Sequence, residues 1–252
     1  MLLFAFTAAG ADHVPESVRA EFASLEHQYG VKFLIGEDAL SVTSSYEVSE
    51  YDPQEYPGNL LHFLVTEHET VTAEEQWDET LKPITAALAR FPEGYLASLE
   101  TPLTICISGQ IRNPELPGSL GGFAMSEPAG RIYLNAYEFT VDTVLHEIWH
   151  GIELQMKDAF ASWNELNPEG FAYTGDFVNY ESSPAFDPEY FARPYGTTSA
   201  YEDRATLFEA YIYAEPAGMV GCASESPKEA GSHAENRRLA GIVNPAQPFL
   251  MP

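Results

Sequence analysis

Two histidines and a glutamate stand close together in the middle of the chain, in the order His146-Glu147-x-x-His150. On an α-helix, side chains four positions apart share one face and lie about 6 Å apart along the axis, so both imidazoles can bind a single divalent ion. Glu147 lies about 100° further round such a helix, where it is poorly placed as a ligand but can accept a proton from a water that the ion activates. The pattern is typical of zinc hydrolases and predicts one zinc ion, with Glu147 as the catalytic base.

The flanking residues predict the helix that this pattern needs. Apolar residues recur around it at spacings of three and four, at Val141, Val144, Leu145, Ile148, Trp149 and Ile152. Thr140 can cap the start of this helix, and Asp142 lies in its positively polarised first turn. Two ordinary histidines on a core helix are the alternative, but a chance match to this motif in a helical context is much rarer.

The third metal ligand is not evident from the motif itself. Catalytic zinc sites use three protein groups and leave one position to water. A continuation with a third histidine fails, because Glu153 and Met156 occupy the positions that it requires. Glu165 and Glu169 lie roughly where thermolysin-like enzymes place a glutamate ligand, although the proline and glycine beside them would break a helix.

A later glutamate, Glu202, is the other candidate. It stands at the start of a predicted helix, where a carboxylate would be rigidly oriented, but it could instead complete a capping box opened by Ser199. Its neighbour Asp203 has two interpretations as well. It could accept a hydrogen bond from a ligand imidazole, or it could be a solvated acid at the helix start.

A resemblance favours Glu202. The segment 191–205, FARPYGTTSAYEDRA, is similar to the second motif of the anthrax lethal factor-like zinc metallopeptidases, a family that includes the Pro-Pro endopeptidases. In that family a tyrosine precedes the zinc-binding glutamate by seven positions, which is the spacing from Tyr195 to Glu202. The segment 166–173, LNPEGFAY, resembles the linker before that motif, and residues 25–36 resemble the family more loosely.

The resemblance covers most of residues 15–213 and implies a role for each site residue. His146, His150 and Glu202 would bind one Zn²⁺, Glu147 would be the general base, and Tyr195 would donate a hydrogen bond to the oxyanion of the reaction. The implied protein is a zinc metalloendopeptidase. A thermolysin-like peptidase with a different third ligand is a second hypothesis. A surface or binding protein that keeps zinc without cutting is a third, although such a protein has no need of Glu147.

Other patterns predict the elements around the motif. Helices are predicted over 15–29 with Gly30 as C-cap, over 72–88 with Pro83 kinking or splitting it, and over 200–213. Strands are predicted over 31–35, 60–66, 103–108 and 131–135. The long aromatic segment 158–198 could wall the cleft or form a satellite core.

Residues 121–125, just before the metal helix, are open to two interpretations. They could form an edge strand, to which an extended peptide or protein substrate could pair by main-chain hydrogen bonds. They could equally be an ordinary connector.

These elements predict a single α+β, zincin-like catalytic domain over residues 1–252. A small mixed sheet with helices is expected in an N-terminal part up to residue 139, and a mostly helical part over 140–252, with the zinc ion between them. The tail after residue 214 lies outside the family resemblance, and one short helix is possible there over about 228–242.

Composition narrows the partners and the compartment. The chain of 252 residues is 45% hydrophobic, enough for a substantial core, and its net charge of −26 excludes nucleic acid as an expected partner because phosphates need Lys and Arg. An acidic surface fits an extracellular or cell-surface location. Residues 1–11 are apolar and are interpreted either as a signal remnant or as a first strand. No stretch reaches the roughly 18 apolar residues of a membrane span.

The two cysteines, Cys106 and Cys222, form no C-x-x-C pair, which excludes a thiolate zinc site. Cys106 lies in an apolar run and is predicted to be a small core residue. A disulfide between the two is left open.

Overall fold

The computed structural model describes residues 14–39, 67–68, 71, 74–112, 121–125, 130–156 and 160–214. Residues 1–11, the predicted strand over 60–66, Cys222 and the tail after 214 lie outside this part of the chain. The described part is a mixed α/β structure. Its main elements are α1 (Glu16–Tyr29), β1 (Lys32–Leu34), β2 (Glu67–His68), α2 (Glu74–Leu88), β3 (Thr104–Ser108), β4 (Ile111–Arg112), β5 (Gly122–Met125), β6 (Arg131–Asn135), α3 (Val141–Glu153) and α4 (Ala200–Ala214).

The described strands form a four-stranded mixed sheet in the order β1-β3-β6-β5 and a separate two-stranded pair of β2 with β4. Strands β1, β3 and β6 are parallel, and β5 runs antiparallel to β6. The small mixed sheet expected from the sequence is therefore confirmed. Of the two interpretations of residues 121–125, the strand is the one observed, and it lies at the edge of the sheet.

Helix α1 ends where its sequence predicts. Gly30 takes a left-handed conformation with φ of 70° and donates its backbone N–H to the carbonyl of Glu26. A side chain would be strained at this φ, and a Cβ there would lie only 2.4 Å from the Cβ of Ala97. Glycine is therefore required both to end α1 and to let the chain pass close to Ala97.

Helix α2 passes through Pro83 without being split, so of the two predicted effects of Pro83, a kink or a split, the split is wrong. Proline removes one helical hydrogen bond and normally breaks a helix. Here buried residues on both sides of Pro83 anchor the helix to the core, and this burial offsets the lost bond. These residues are Trp77, Leu81, Ile84 and Leu88, the predicted buried face.

Helix α3 lies directly against the sheet and against α4. A Cβ on Gly151 would be 2.8 Å from Cδ2 of Leu103 and 3.2 Å from Cγ2 of Ile132, so α3 packs closely against the side chains of the sheet. On its other side, the ring of Trp149 stacks on that of Phe208 of α4 at 4.5 Å between centroids. The two helices that carry the predicted ligands are thus held together by buried aromatic packing.

The aromatic segment before α4 has no α-helix or strand within 160–198 and contains three short 3₁₀ turns, Trp163–Leu166, Tyr180–Ser182 and Pro194–Thr197. Trp163 packs with Ala200 and Leu207 in a small core of its own, as one prediction for this segment stated.

None of the helices in the described residues is long and apolar enough to cross a membrane. Cys106 is a buried free thiol in β3 whose pKa burial raises to about 12, as expected of a core residue.

Candidate metal centre

The predicted motif lies on a helix with a well-formed start. Thr140 caps α3 by accepting the N–H of Thr143, and the Thr143 hydroxyl in turn accepts the N–H of Thr140. The cap fixes the first turn of α3, and side chains four residues apart along this helix lie on the same face. His146 and His150 are both buried on this face, with ring centroids 4.7 Å apart.

Three donor atoms from two helices converge on one point. Nε2 of His146 lies 2.8 Å from Oε2 of Glu202 and 3.1 Å from Nε2 of His150, and Nε2 of His150 lies 3.4 Å from the same carboxylate oxygen. A tetrahedral ion with bonds of about 2.0–2.1 Å would separate any two of its ligand atoms by about 3.3 Å. The measured separations bracket this value. This buried His-His-Glu group could therefore hold a metal ion.

Glu202 reaches the histidines because of how α4 begins. The hydroxyl of Ser199 accepts the backbone N–H of Glu202 at 3.2 Å, so the helix start is capped by the serine. The Glu202 carboxylate lies against the imidazoles of α3. The rival candidates Glu165 and Glu169 are exposed, and neither belongs to the cluster found in the described residues.

The Glu147 side chain lies against the edge strand β5. A Cβ built on Gly122 of β5 would lie 2.8 Å from its Cγ and 3.2 Å from its carboxyl carbon. The side chain is buried, and among the described residues its Oε2 atom has no hydrogen-bond partner. Burial raises the pKa of Glu147 to about 8, and the negative charges of Glu202 and Glu209 contribute to this rise. Burying a carboxyl oxygen without a hydrogen-bond partner costs free energy.

Tyr195 lies beside the first histidine. Its ring centroid is 5.9 Å from that of His146, and the rings of Tyr180 and Phe177 pack against it at 4.8 and 6.2 Å. This part of the aromatic segment therefore forms one side of the site. Burial and the nearby carboxylate of Glu202 raise the pKa of Tyr195 well above its usual value, so at neutral pH its hydroxyl keeps the proton that it could donate.

The interpretation of Asp203 as a solvated acid is wrong. It is fully buried, and its Oδ2 accepts hydrogen bonds from the indole N–H of Trp163 at 2.9 Å and from the hydroxyl of Tyr173 at 2.8 Å. Asp203 thus ties the aromatic segment to α4.

Glu209, which the sequence reasoning missed, also contacts a ligand imidazole. Its Oε2 lies 3.3 Å from Nδ1 of His146. A signal existed: Glu209 follows Glu202 by seven residues, about two helical turns, and so lies on the same face of α4.

Burial and neighbouring charges shift the pKa values of the three donor groups in opposite directions. Burial disfavours a charged imidazole and lowers the pKa of His150. At His146 burial acts in the same direction, but the carboxylates of Glu202 and Glu209 outweigh it and raise the pKa well above its usual value. Burial likewise opposes ionisation of Glu202, yet the two imidazoles lower its pKa. Binding of a cation would take the place of the proton that these groups compete for.

A comparison of the chain with protein-family models, with curated proteins and with solved structures finds no match in any of the three. The resemblance to the lethal factor-like peptidases is therefore still a prediction, and the interpretation of the site depends on its own geometry.

Proposed function

We propose that this protein is a zinc-dependent endopeptidase of the zincin type, with the ion held by His146, His150 and Glu202. Two imidazoles and one carboxylate are a donor set typical of catalytic zinc, which keeps one position open for water, whereas structural zinc sites are closed by four protein ligands. Within the described residues the cluster has these three members and no fourth, which supports the catalytic type.

One observation carries the proposal: Glu147, the residue after the proposed ligand His146, is buried, and its Oε2 has no hydrogen-bond partner among the described residues. A protein that only stored zinc would gain nothing from such a group and would have to bear the cost of burying it. A peptidase needs a carboxylate at this position to accept a proton from the attacking water. This need also favours the enzyme over the hypothesis of a catalytically silent binding protein.

In the proposed reaction an ion held by His146, His150 and Glu202 would act as a Lewis acid and would make a water molecule easier to deprotonate. Glu147 takes a proton from that water and later gives it to the leaving amine of the peptide. Tyr195, whose hydroxyl stays protonated, donates a hydrogen bond to the carbonyl oxygen as negative charge develops on it. The proton-accepting and hydrogen-bonding groups thus come from different elements, α3 and the turn before α4.

An extended peptide is the proposed substrate, and β5 is its proposed docking edge. On one side β5 pairs with β6, and no other described strand pairs with its second side. Its residue Gly122 lies against Glu147. A peptide paired to this edge by main-chain hydrogen bonds would present its own backbone next to the catalytic base.

Digestion of a peptide library is the experiment that tests this function. The purified protein is expected to cleave a subset of peptides, to lose this activity when a chelator removes its metal, and to regain it on addition of zinc. Cleavage that persists in chelator would contradict the metal-dependent mechanism. A protein that contains zinc but cleaves nothing would support the silent binding protein instead.

Gly122→Ala is expected to lower activity by about 10- to 100-fold with zinc still bound. The added methyl would meet the Glu147 side chain at 2.8 Å and the backbone carbonyl of Tyr133 at 2.9 Å, so either the base or the edge strand must move. Misplacement by about 1 Å can cost about 100-fold in rate. The measurement is kcat/KM on one cleaved peptide together with the zinc content.

Gly121→Ala is the matched control. Its added methyl would meet only the end of the Thr143 side chain, at 3.2 Å, and would not touch Glu147. It should keep activity close to that of the wild type. Equal losses in both variants would show that the edge strand tolerates no change at all, and would remove the specific role assigned to the space beside Glu147.

A further inference from the structure

Both oxygens of the Glu209 carboxylate are engaged in the described structure. Oε2 lies 3.3 Å from Nδ1 of His146, and Oε1 lies 2.9 Å from Nη1 of Arg193. The second terminal nitrogen of Arg193 lies 2.8 Å from Oδ2 of Asp142, in the first turn of α3. The Glu209 side chain is buried while the Arg193 side chain is 47% exposed, so the chain of contacts runs from the surface to the ligand.

These contacts decide which nitrogen of His146 is available to a metal ion. A neutral imidazole carries one proton, and the nitrogen without it provides the lone pair that binds. A carboxylate beside Nδ1 favours the proton there, which leaves Nε2 free, and Nε2 is the atom that points at His150 and Glu202. Since Arg193 engages the other oxygen, the Glu209 carboxylate has little freedom to turn away from the imidazole.

We infer that Glu209 is a positioning residue for the metal centre: it holds His146 in the Nδ1-protonated form and in the ring orientation that directs Nε2 to the ion, and Arg193 holds Glu209. The inference extends the proposed function and rests on it, because it assumes that the His-His-Glu group binds zinc. In this inference α4 supplies one ligand, Glu202, and also Glu209, which orients a second ligand, His146.

Two substitutions of Glu209 separate its hydrogen-bonding role from its bulk. Glu209→Leu removes the acceptor and is expected to lower zinc affinity by about 10- to 100-fold, the usual cost of losing a carboxylate that orients a ligand histidine. Glu209→Gln keeps an oxygen that can accept from Nδ1–H and should lose less. Zinc affinity is measured by competition with a chelator of known affinity.

Glu153→Gln is the matched control for loss of a buried carboxylate. Glu153 and Glu209 are both 3% exposed, and Glu153 forms a buried ion pair with Arg204. This variant is expected to be less stable but to bind zinc within a few-fold of the wild type, since breaking a buried ion pair costs stability. If Glu153→Gln weakens zinc binding as much as Glu209→Leu, general loosening explains the loss and the inference is overturned.

Nitrogen-15 NMR of the imidazoles supplies a readout that a merely structural role would not change. The Nδ1–H proton of His146 is expected to be shielded from solvent exchange in the wild type and to exchange freely in Glu209→Leu, with the His150 signals unchanged as an internal reference. An unaltered His146 signal in Glu209→Leu would overturn the inference. Because the experiment can be done on the metal-free protein too, a wild type that binds no zinc would refute the proposed function while the effect of Glu209 on the His146 proton would still be measured.

Discussion

Replacing Glu147 with glutamine is expected to abolish peptide hydrolysis while leaving the metal in place. Glutamine has nearly the same shape but cannot take up a proton from water, and a general base contributes about 10²- to 10⁴-fold to a rate. Glu147 is not one of the three converging groups, so zinc should stay at one ion per chain. The measurement is single-turnover cleavage of a peptide identified in the library, with metal content determined on the same sample.

The thermal stability of Glu147→Gln provides the control for misfolding. The substitution removes a buried carboxyl group whose ionisation burial opposes, as its pKa of about 8 indicates, so the melting temperature should stay the same or rise. A folded, zinc-loaded variant with wild-type turnover would remove Glu147 as the base. A variant that lost its zinc would instead indicate that Glu147 supports the ligands.

The part of the site that is local in sequence could be predicted because a helix alone determines it. The four-residue spacing of His146 and His150 places both imidazoles on one face wherever that helix lies. The apolar spacing around them predicted the helix, and Thr140 predicted its cap, which the structure confirms. The two ends of α1, with Gly30 as its C-cap, could be predicted because they too depend only on nearby residues. Each of these features depends on residues within two turns of one another.

The contacts between α3 and α4 could not be derived from spacing. Glu202 is 56 residues after His146, and only the packing of the two helices through Trp149 and Phe208 brings them together. The resemblance supplied Glu202 as a prediction, and the structure places its carboxylate at the histidines. The resemblance gave no contacts for Asp203 or Glu209. The spacing of seven residues places Glu209 on the same face of α4 as Glu202, but the partners of both acids depend on how α4 is rotated about its axis. A rotation of about 100° separates neighbouring residues, so a neighbour of a ligand faces elsewhere, as Asp203 does.

Two features of the fold show where local propensity was outweighed. Pro83 favours a break, but the buried residues on both sides of it keep α2 continuous. Residues 121–125 contain two glycines, which weaken a strand on propensity alone, yet they pair with β6. Gly122 explains this choice, because any side chain there would collide with Glu147. A residue unfavourable for a strand is used where the strand must pass close to the proposed base.

Glu202→Ala is expected to remove the metal and with it all activity. The substitution deletes one of three ligands, and since loss of an orienting carboxylate already costs about 10- to 100-fold in affinity, loss of a ligand should cost more than 100-fold. Zinc should then fail to stabilise the variant, whereas at a hundred times its Kd it would stabilise the wild type by about 2.7 kcal/mol. The measurements are zinc content after gel filtration and the shift in melting temperature on addition of zinc.

Glu165→Ala and Glu169→Ala are the matched controls, because each deletes one glutamate of the rival, thermolysin-like arrangement. Both residues are exposed and lie outside the His-His-Glu group, so their variants should keep zinc, its stabilising effect and activity. Loss of zinc from either control, together with retention in Glu202→Ala, would reassign the third ligand and with it the family that the site resembles. Retention in all three would mean that two imidazoles suffice for binding, and the geometry of a three-ligand catalytic site would no longer support a peptidase.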